Sequence, residues 1–266
     1  MGKFAGKVVW ITGASSGIGE ALANSFWKEG AHLVLSARRL TELERVKSCL
    51  NPSGNQRVFI LPMDLADTLA SKQLADDVIR EFGQIDVLVN NAGLSQRSFT
   101  IDTPLEIDRK IMEVNFFGTV ALTKAVLPYM VHRKKGLIIV ISSISGKFGF
   151  YLRSAYAASK HALHGFFESL RMEVFKDNVQ VMIVCPGKIS TSLSLSALTA
   201  DGQVHNKMDN AISAGMPAEQ CAEIILKGAM RGEEEINVGG KEIRAVWIKR
   251  FFPGLFSKLI RKQKVE

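Results

Sequence analysis

Six short runs rich in Val, Ile and Leu recur along this chain: KVVWIT (7–12), HLVLSA (32–37), RVFILP (57–62), IDVLVN (85–90), LIIVIS (137–142) and VQVMIV (179–184). Each is nearly continuously apolar, with little alternation, which is the pattern of a strand covered on both faces. Amphipathic stretches long enough for helices separate them, at about 17–30, 41–50, 67–82, 105–133, 154–176 and 217–230. Strands alternating with helices build βαβ units. The sequence therefore predicts an α/β fold, one doubly wound and mostly parallel sheet with helices on both faces. A seventh strand is expected near Glu235–Val238. No internal repeat or long polar linker divides the 266 residues, a length that one α/β domain can reach. Residues 1–244 are expected to form that domain, with 245–266 as a tail.

Composition matters chiefly through where the charge sits. The net charge is +8, and residues 245–266 hold Lys249, Arg250, Lys258, Arg261, Lys262 and Lys264 against Glu266, so the tail accounts for five of the eight. A nucleic-acid partner is not expected, because the charge is concentrated in one aromatic-rich segment instead of spread over a face. Trp247, Phe251, Phe252, Leu255, Phe256, Leu259 and Ile260 alternate with those basic residues at near-helical spacing, and Pro253-Gly254 must interrupt any helix there. Such a segment packs its apolar face on the body or across a subunit interface, the favoured expectation, or else lies in a membrane interface. Cys49, Cys185 and Cys221 form no CxxC or Cys/His cluster, which argues against a disulfide framework or a metal site and fits a reducing compartment. No apolar run approaches the roughly 18 residues of a membrane span, and the chain enters a strand-like segment at once instead of a signal peptide. A cytoplasmic protein is expected, with peripheral membrane contact through the tail as the alternative.

The first strand runs into Thr12-Gly13-Ala14-Ser15-Ser16-Gly17-Ile18-Gly19 and then a helix. Glycines there let the backbone turn tightly and approach a pyrophosphate, whose charge is met by free N–H groups at the helix N-terminus. The plain alternative is a tight turn without a ligand. The same residues match the G-x-S-x-G elbow of hydrolases, but that elbow normally follows several strands. None of His32, His132, His161, His164 and His205 lies in a hydrolase context, so these are expected at the surface or in packing. At the end of the second strand, where an NAD-binding chain carries an acid for the ribose hydroxyls, this one has Ser36-Ala37-Arg38-Arg39. Guanidinium groups suit a 2′-phosphate, so NADP(H) is expected over NAD(H), against the plain alternative of an exposed basic pair opening a helix.

Further on, Ser142-Ser143 closes the fifth strand and Tyr156-Ala157-Ala158-Ser159-Lys160 opens the next helix. Tyr156 and Lys160, four apart, share a helix face, and Ser143, thirteen before the tyrosine, is separated by a loop that can bring the hydroxyls together. A phenol of reference pKa about 10 is a poor base at neutral pH, but a nearby ammonium favours its phenolate.

With NNAG (90–93), Asn115 and Pro186-Gly187, these motifs stand in the order and at the spacings of the short-chain dehydrogenase/reductase family, which the chain resembles over about 1–240. The resemblance implies a single Rossmann domain that moves a hydride between a nicotinamide and a carbonyl or alcohol carbon. It implies that Thr12, Gly13, Ser15, Ser16, Gly17, Ile18 and Gly19 cradle the pyrophosphate and that Asp64, with Leu65, meets the adenine. It implies also that Asn90, Ala92 and Gly93 lie along the cofactor, and that Pro186, Gly187, Ile189 and Thr191 fix the carboxamide. Tyr156 would then carry the proton, Ser143 would hold the substrate oxygen, and Lys160 would lower the tyrosine pKa and bind the ribose. Asn115 would hold a water linking that lysine to solvent. No metal is implied. Residues 190–215 would close over the substrate, with Leu193, Leu195, Leu198 and Met208 favouring a lipophilic carbonyl compound such as a steroid, retinoid or fatty-acyl derivative. A homodimer or homotetramer is implied by the family's pairing through long helices. Two rivals stand beside this reading: a non-catalytic sensor on the same fold, and an epimerase or dehydratase sharing Y-x-x-x-K.

Overall fold

The computed structural model describes residues 2–51, 54–207 and 213–262. Its strands are β1 (Val8–Thr12), β2 (His32–Ser36), β3 (Val58–Ile60), β4 (Val87–Asn90), β5 (Gly136–Ile141), β6 (Val179–Pro186), the two-residue β7 (Ile189–Ser190) and β8 (Met216–Pro217), and β9 (Glu235–Val238). Among the described residues the helices longer than one turn are α1 (Gly17–Lys28), α2 (Leu40–Ser48), α3 (Ser71–Phe82), α4 (Leu105–Met112), α5 (Thr119–His132), α6 (Ser154–Glu173), α7 (Ala218–Arg231), α8 (Arg244–Phe251) and α9 (Pro253–Ile260), with a π-helical turn, Glu113–Gly118, joining α4 to α5.

Seven strands make one sheet in the order β3-β2-β1-β4-β5-β6-β9, and all its pairings are parallel. The continuous apolar runs have the reason anticipated for them, since side chains alternate between two covered faces. Val9, Ile11, Leu33 and Leu35 pack under α1 and α7 with Leu22, Phe26 and Ile225, whereas Val8, Trp10, Val34 and Leu88 pack on the other side with Val78, Val126 and Phe167. The strand order reverses between β1 and β4, which opens a crevice at their carboxyl ends, the usual ligand position of such sheets.

The helical stretch Leu105–His132 corrects one expectation. Its 28 residues include an 18-residue window of mean hydropathy 1.3, long and apolar enough for a membrane span, although no unbroken apolar run marks it in the sequence. Asn115, Thr119 and Thr123 lie on this stretch and are buried, while Leu122, Val126 and Met130 fill the core against the sheet. Of the apolar window, 39% is buried in the domain.

The tail folds into α8 and α9, and Pro253 opens the second helix after a break at Phe252. Phe256 rests on Phe148 with ring centroids 4.9 Å apart, while Trp247, Phe251, Phe252, Leu255 and Leu259 stay exposed. The apolar face is thus divided between the body and open surface. Lys264 and Glu266 lie outside the described residues.

Candidate active site

The crevice is built from the Thr12 side chain outward. Its hydroxyl donates to the Val89 carbonyl at 3.2 Å and accepts from the N–H groups of Asn91 and Ala92 at 3.0 and 3.1 Å, tying the end of β1 to the end of β4. Gly13 and Gly17 then take φ of +65° and +58°, the left-handed region that side chains resist. A Cβ on Gly19 would collide with the Gly13 carbonyl oxygen, so the first turn of α1 lies directly on the glycine turn. Ser16, at the N-cap of α1, makes no side-chain capping bond, which leaves the first N–H groups of that helix to face the groove.

That groove has a volume of about 550 Å³. Thr12, Gly13, Ser15, Ser16, Gly17 and Ile18 form one end and Arg38 and Arg39 the rim, with Asp64, Leu65, Ala92 and Gly93 along the wall. The donor set fits a dinucleotide: bare N–H groups meet phosphate charge, and both arginines are exposed with no ion pair among the described residues. Asn90 departs from expectation. It is buried, its amide donates to Thr123 Oγ1 at 2.9 Å, and its Oδ1 has no partner. The next residue, Asn91, borders the groove instead and donates to the carbonyls of Thr12 and Gly13 at 2.9 and 3.2 Å. The period-two geometry of β4 sends Asn90 inward, toward α5.

The groove continues past Gly93 and Thr191 into a cavity of about 440 Å³. Ser143, Tyr156, Lys160, Pro186, Gly187 and Ile189 all reach its wall. The Ser143 hydroxyl donates to the Pro186 carbonyl at 3.4 Å and accepts the Ser145 N–H at 3.1 Å, and it shares the cavity wall with the Tyr156 phenol. Burial pushes the phenol pKa up, and Arg153 and the Ser143 hydroxyl pull it back. Burial pulls the Lys160 ammonium down to about 8, and its Nζ donates to the Ile141 carbonyl at 2.8 Å, 5.8 Å from the Tyr156 ring centroid. In this arrangement the cation that offsets burial at Tyr156 is Arg153. Asn115 sits in the π-helical turn, accepting the Leu94 N–H at 2.7 Å and donating to the Leu94 carbonyl at 2.9 Å and Ser159 Oγ at 3.0 Å. Ser159 in turn donates to the Tyr156 carbonyl at 2.7 Å. Asn115 therefore joins the segment after β4 to the tyrosine helix.

Residues 7–201 match the short chain dehydrogenase family. The chain belongs to that family. It is 46% identical over 263 residues to the dehydrogenase/reductase SDR family protein 7-like of Anopheles gambiae, covering 97% of this chain and 83% of the relative. Against dehydrogenase/reductase SDR family member 7B of Mus musculus the identity is 41%, covering 95% of this chain and 80% of the relative. A short-chain dehydrogenase from Streptomyces avermitilis superposes with a TM-score of 0.80 at 27% identity, covering 97% of this chain and 96% of that one. A short-chain dehydrogenase/reductase from Burkholderia phymatum, solved in complex with NAD, superposes with a TM-score of 0.84 over 100% and 99% of the two chains; at 21% identity it speaks for the fold alone. This short-chain dehydrogenase is thus an oxidoreductase by family, one whose members bind a nicotinamide cofactor and small-molecule substrates and are generally oligomeric.

Gln96 was not singled out by any sequence motif, and the structure places it centrally in this dehydrogenase. Fully buried, it accepts the N–H groups of Ala155 and Tyr156 through Oε1 at 2.9 and 3.3 Å. Arg153, at the N-cap of α6, makes no side-chain cap, so Gln96 does the capping from a distant loop. The neighbouring backbone pairs with the segment after β7: Arg97 N–H donates to the Leu198 carbonyl at 2.8 Å and Leu198 N–H to the Ser95 carbonyl at 3.0 Å. Leu198 is buried against Ile111 and Ala155, Leu193 borders both cavities, and Leu195 lines the groove. Met208 lies outside the described residues.

Behind the site, the fold gathers a polar group that sequence separation conceals. His164 Nε2 lies 3.1 Å from Ser142 Oγ and 3.6 Å from Cys185 Sγ, and Lys147 Nζ bridges His164 Nδ1 at 3.2 Å and Glu235 at 2.7 Å. His164, Cys185 and Glu235 have ligand atoms within 4.8 Å of one another, but the Lys147 ammonium stands where a cation would sit. Burial, aided by Lys147, lowers the His164 pKa to about 4. Since the unfolded imidazole titrates near 6.5, the unfolded chain binds the extra proton first on acidification. The stabilisation from neutral His164 is complete above about pH 6.5 and is lost as pH falls towards 4. Urea unfolding should show His164→Gln losing about 1–2 kcal/mol of the stability difference between pH 7 and pH 5; an unchanged difference would contradict the assignment.

Proposed function

We propose that this chain is an NADP(H)-dependent short-chain dehydrogenase/reductase, with residues 1–244 as its catalytic domain and 245–266 as an appended tail. It transfers a hydride between the nicotinamide and a carbonyl or alcohol carbon of a lipophilic substrate. The observation that carries this reading is that Ser143, Tyr156 and Lys160 meet at the wall of a cavity that opens directly from the dinucleotide groove. The nicotinamide supplies the hydride when bound. During reduction Tyr156 gives its phenolic proton to the substrate oxygen as negative charge grows there, and during oxidation it takes the proton back. Ser143 donates to the same oxygen, a preorganised donor in a site of low dielectric. Lys160 holds a positive charge behind the phenol and binds the ribose, and Asn115 keeps the lysine's helix in register with the cofactor segment. Ile144, Phe150, Leu152 and Leu193 favour a lipophilic substrate. The Tyr156→Phe variant should bind NADPH with near-normal affinity and lose at least about 100-fold in kcat. Turnover within a few-fold of the parent would sink the assignment.

The choice of NADP(H) rests on Arg38 and Arg39 at the groove rim, where bidentate guanidinium contacts suit the 2′-phosphate. Replacing both by Ala should weaken NADPH at least about 10-fold in a fluorescence titration while changing NADH little. Equal weakening of the two cofactors would remove the basis for the preference. Assembly as a homodimer or homotetramer in a reducing, cytoplasmic setting accords with the family and with an exposed Cys49 thiol.

A second reading concerns location and is favoured by the tail. Trp247 and Phe251 stack 5.9 Å apart, both exposed, beside Lys249 and Arg250, and Phe252, Leu255 and Leu259 continue the apolar surface. Exposed aromatics interleaved with cations suit the interface of an anionic bilayer. Deleting residues 245–262 should abolish co-sedimentation with phosphatidylserine-containing vesicles; unchanged co-sedimentation would dismiss the reading.

A further inference from the structure

We infer that the substrate of this enzyme carries an anionic group, a carboxylate or a phosphate, which Arg153 binds beside the reacting carbonyl. The inference rests on the reading that the cavity at Tyr156 is where substrate reacts, and it narrows the substrate from a lipophile to an anionic amphiphile.

Arg153 reaches the cavity from the residue before α6, with its guanidinium carbon 5.9 Å from the Tyr156 ring centroid. Its backbone is held from both sides. Leu152, just before it, has φ of +62°, a conformation that a branched residue adopts only when its surroundings impose it, and its carbonyl accepts the Ser98 N–H at 3.2 Å. Just after it, Gln96 grips the N–H groups of Ala155 and Tyr156. A strained turn clamped on either side therefore presents one cation to the reaction site.

That cation is half-buried, and among the described residues it has neither an ion pair nor a hydrogen bond. The other charged groups on the cavity wall are Arg97, Lys188, Lys160 and Glu242. Glu242 is the one carboxylate among them, and its Oε1 is occupied by the Lys188 and Gly240 N–H groups at 2.8 and 3.0 Å. The wall is thus apolar along Ile144, Phe150, Leu193 and Ile260 and cationic around the phenol. A neutral lipophile filling this space would strip water from the Arg153 fork and return nothing to its donors, which is unfavourable. An oxyanion replaces that water with charge-assisted, bidentate hydrogen bonds in a low-dielectric setting.

The test is calorimetric titration of the NADPH-loaded enzyme with decanoate, decyl phosphate and decanol, below their micellar concentrations. At least one anion should bind the parent about 10-fold or more tighter than decanol, and Arg153→Gln should bring all three to within about 3-fold. Arg153→Lys, which keeps the charge and loses the fork, should retain part of the preference. The tighter anion distinguishes carboxylate from phosphate. Equal binding of all three by the parent overturns the inference, as does an anion preference that survives Arg153→Gln, which would place the anion on the basic tail instead. Thermal melting and NADPH affinity of each variant establish that it is folded. Absence of NADPH-dependent turnover by the parent across a carbonyl panel would count against the oxidoreductase reading while leaving this binding result readable.

Discussion

The Thr12 hydroxyl makes the contact on which the rest of the site depends. It sits where the strand order reverses, donating to β4 and accepting from the two residues that follow it. Three hydrogen bonds on one buried hydroxyl bring β1 and β4 together at their carboxyl ends, and the chain leaves the sheet on both sides of that join. One exit becomes the glycine turn beneath α1, and the other becomes the wall formed by Asn91, Ala92 and Gly93. Because Asn91 also holds the carbonyls of Thr12 and Gly13, the groove has a floor of paired backbone with little freedom to move. Preorganisation of this kind lets a fixed set of N–H groups meet phosphate charge without reorganising.

The Tyr156 end of the crevice is governed by burial. Tyr156 and Lys160 share a face of α6 and are both buried, so each is driven towards its uncharged form. The surrounding hydrogen bonds hold positions more than charges: Gln96 caps the helix, Asn115 ties it to the segment after β4 through Ser159, and Glu242 anchors the loop after β6. Charge reaches the cavity wall through Arg153, beside the phenol, and through Lys188. A buried phenol with cations beside it would suit a reaction in which a substrate oxygen becomes transiently anionic.

Much of the fold was legible because its signals are local and repeated. Parallel strands covered on both faces need continuous apolar runs, and the turn between β1 and α1 needs glycine wherever φ is positive or backbones touch. The Y-x-x-x-K pair was legible for the same reason, since helical spacing alone puts both residues on one side. What was missed depends on residues distant in sequence. Asn90 and Asn91 are adjacent and chemically identical, and only the pleat of β4 sends one inward to Thr123 and the other to the groove. Gln96 looks like an ordinary loop glutamine until α6 is seen to lack a cap of its own. Arg153 gains meaning only once Tyr156 and the empty side of its guanidinium are seen together. The apolar length of 105–132 was overlooked because polar residues interrupt it, of which Asn115, Thr119 and Thr123 are buried while Glu106, Arg109, Lys110 and Lys124 face outward.

The amino-acid sequence by itself determined the α/β architecture, the glycine turn and the residues that can carry proton transfer, because backbone periodicity and φ preferences act over a few residues. The tertiary structure alone decided which of these groups meet, how far burial shifts them, and which cation faces the cavity. Those outcomes depend on dielectric and distance, which are set by chain segments dozens of residues apart. The tail shows the division most plainly: its basic amphipathic pattern is written in the sequence, but only packing commits Phe256 to the body and leaves Trp247 and Phe251 outside.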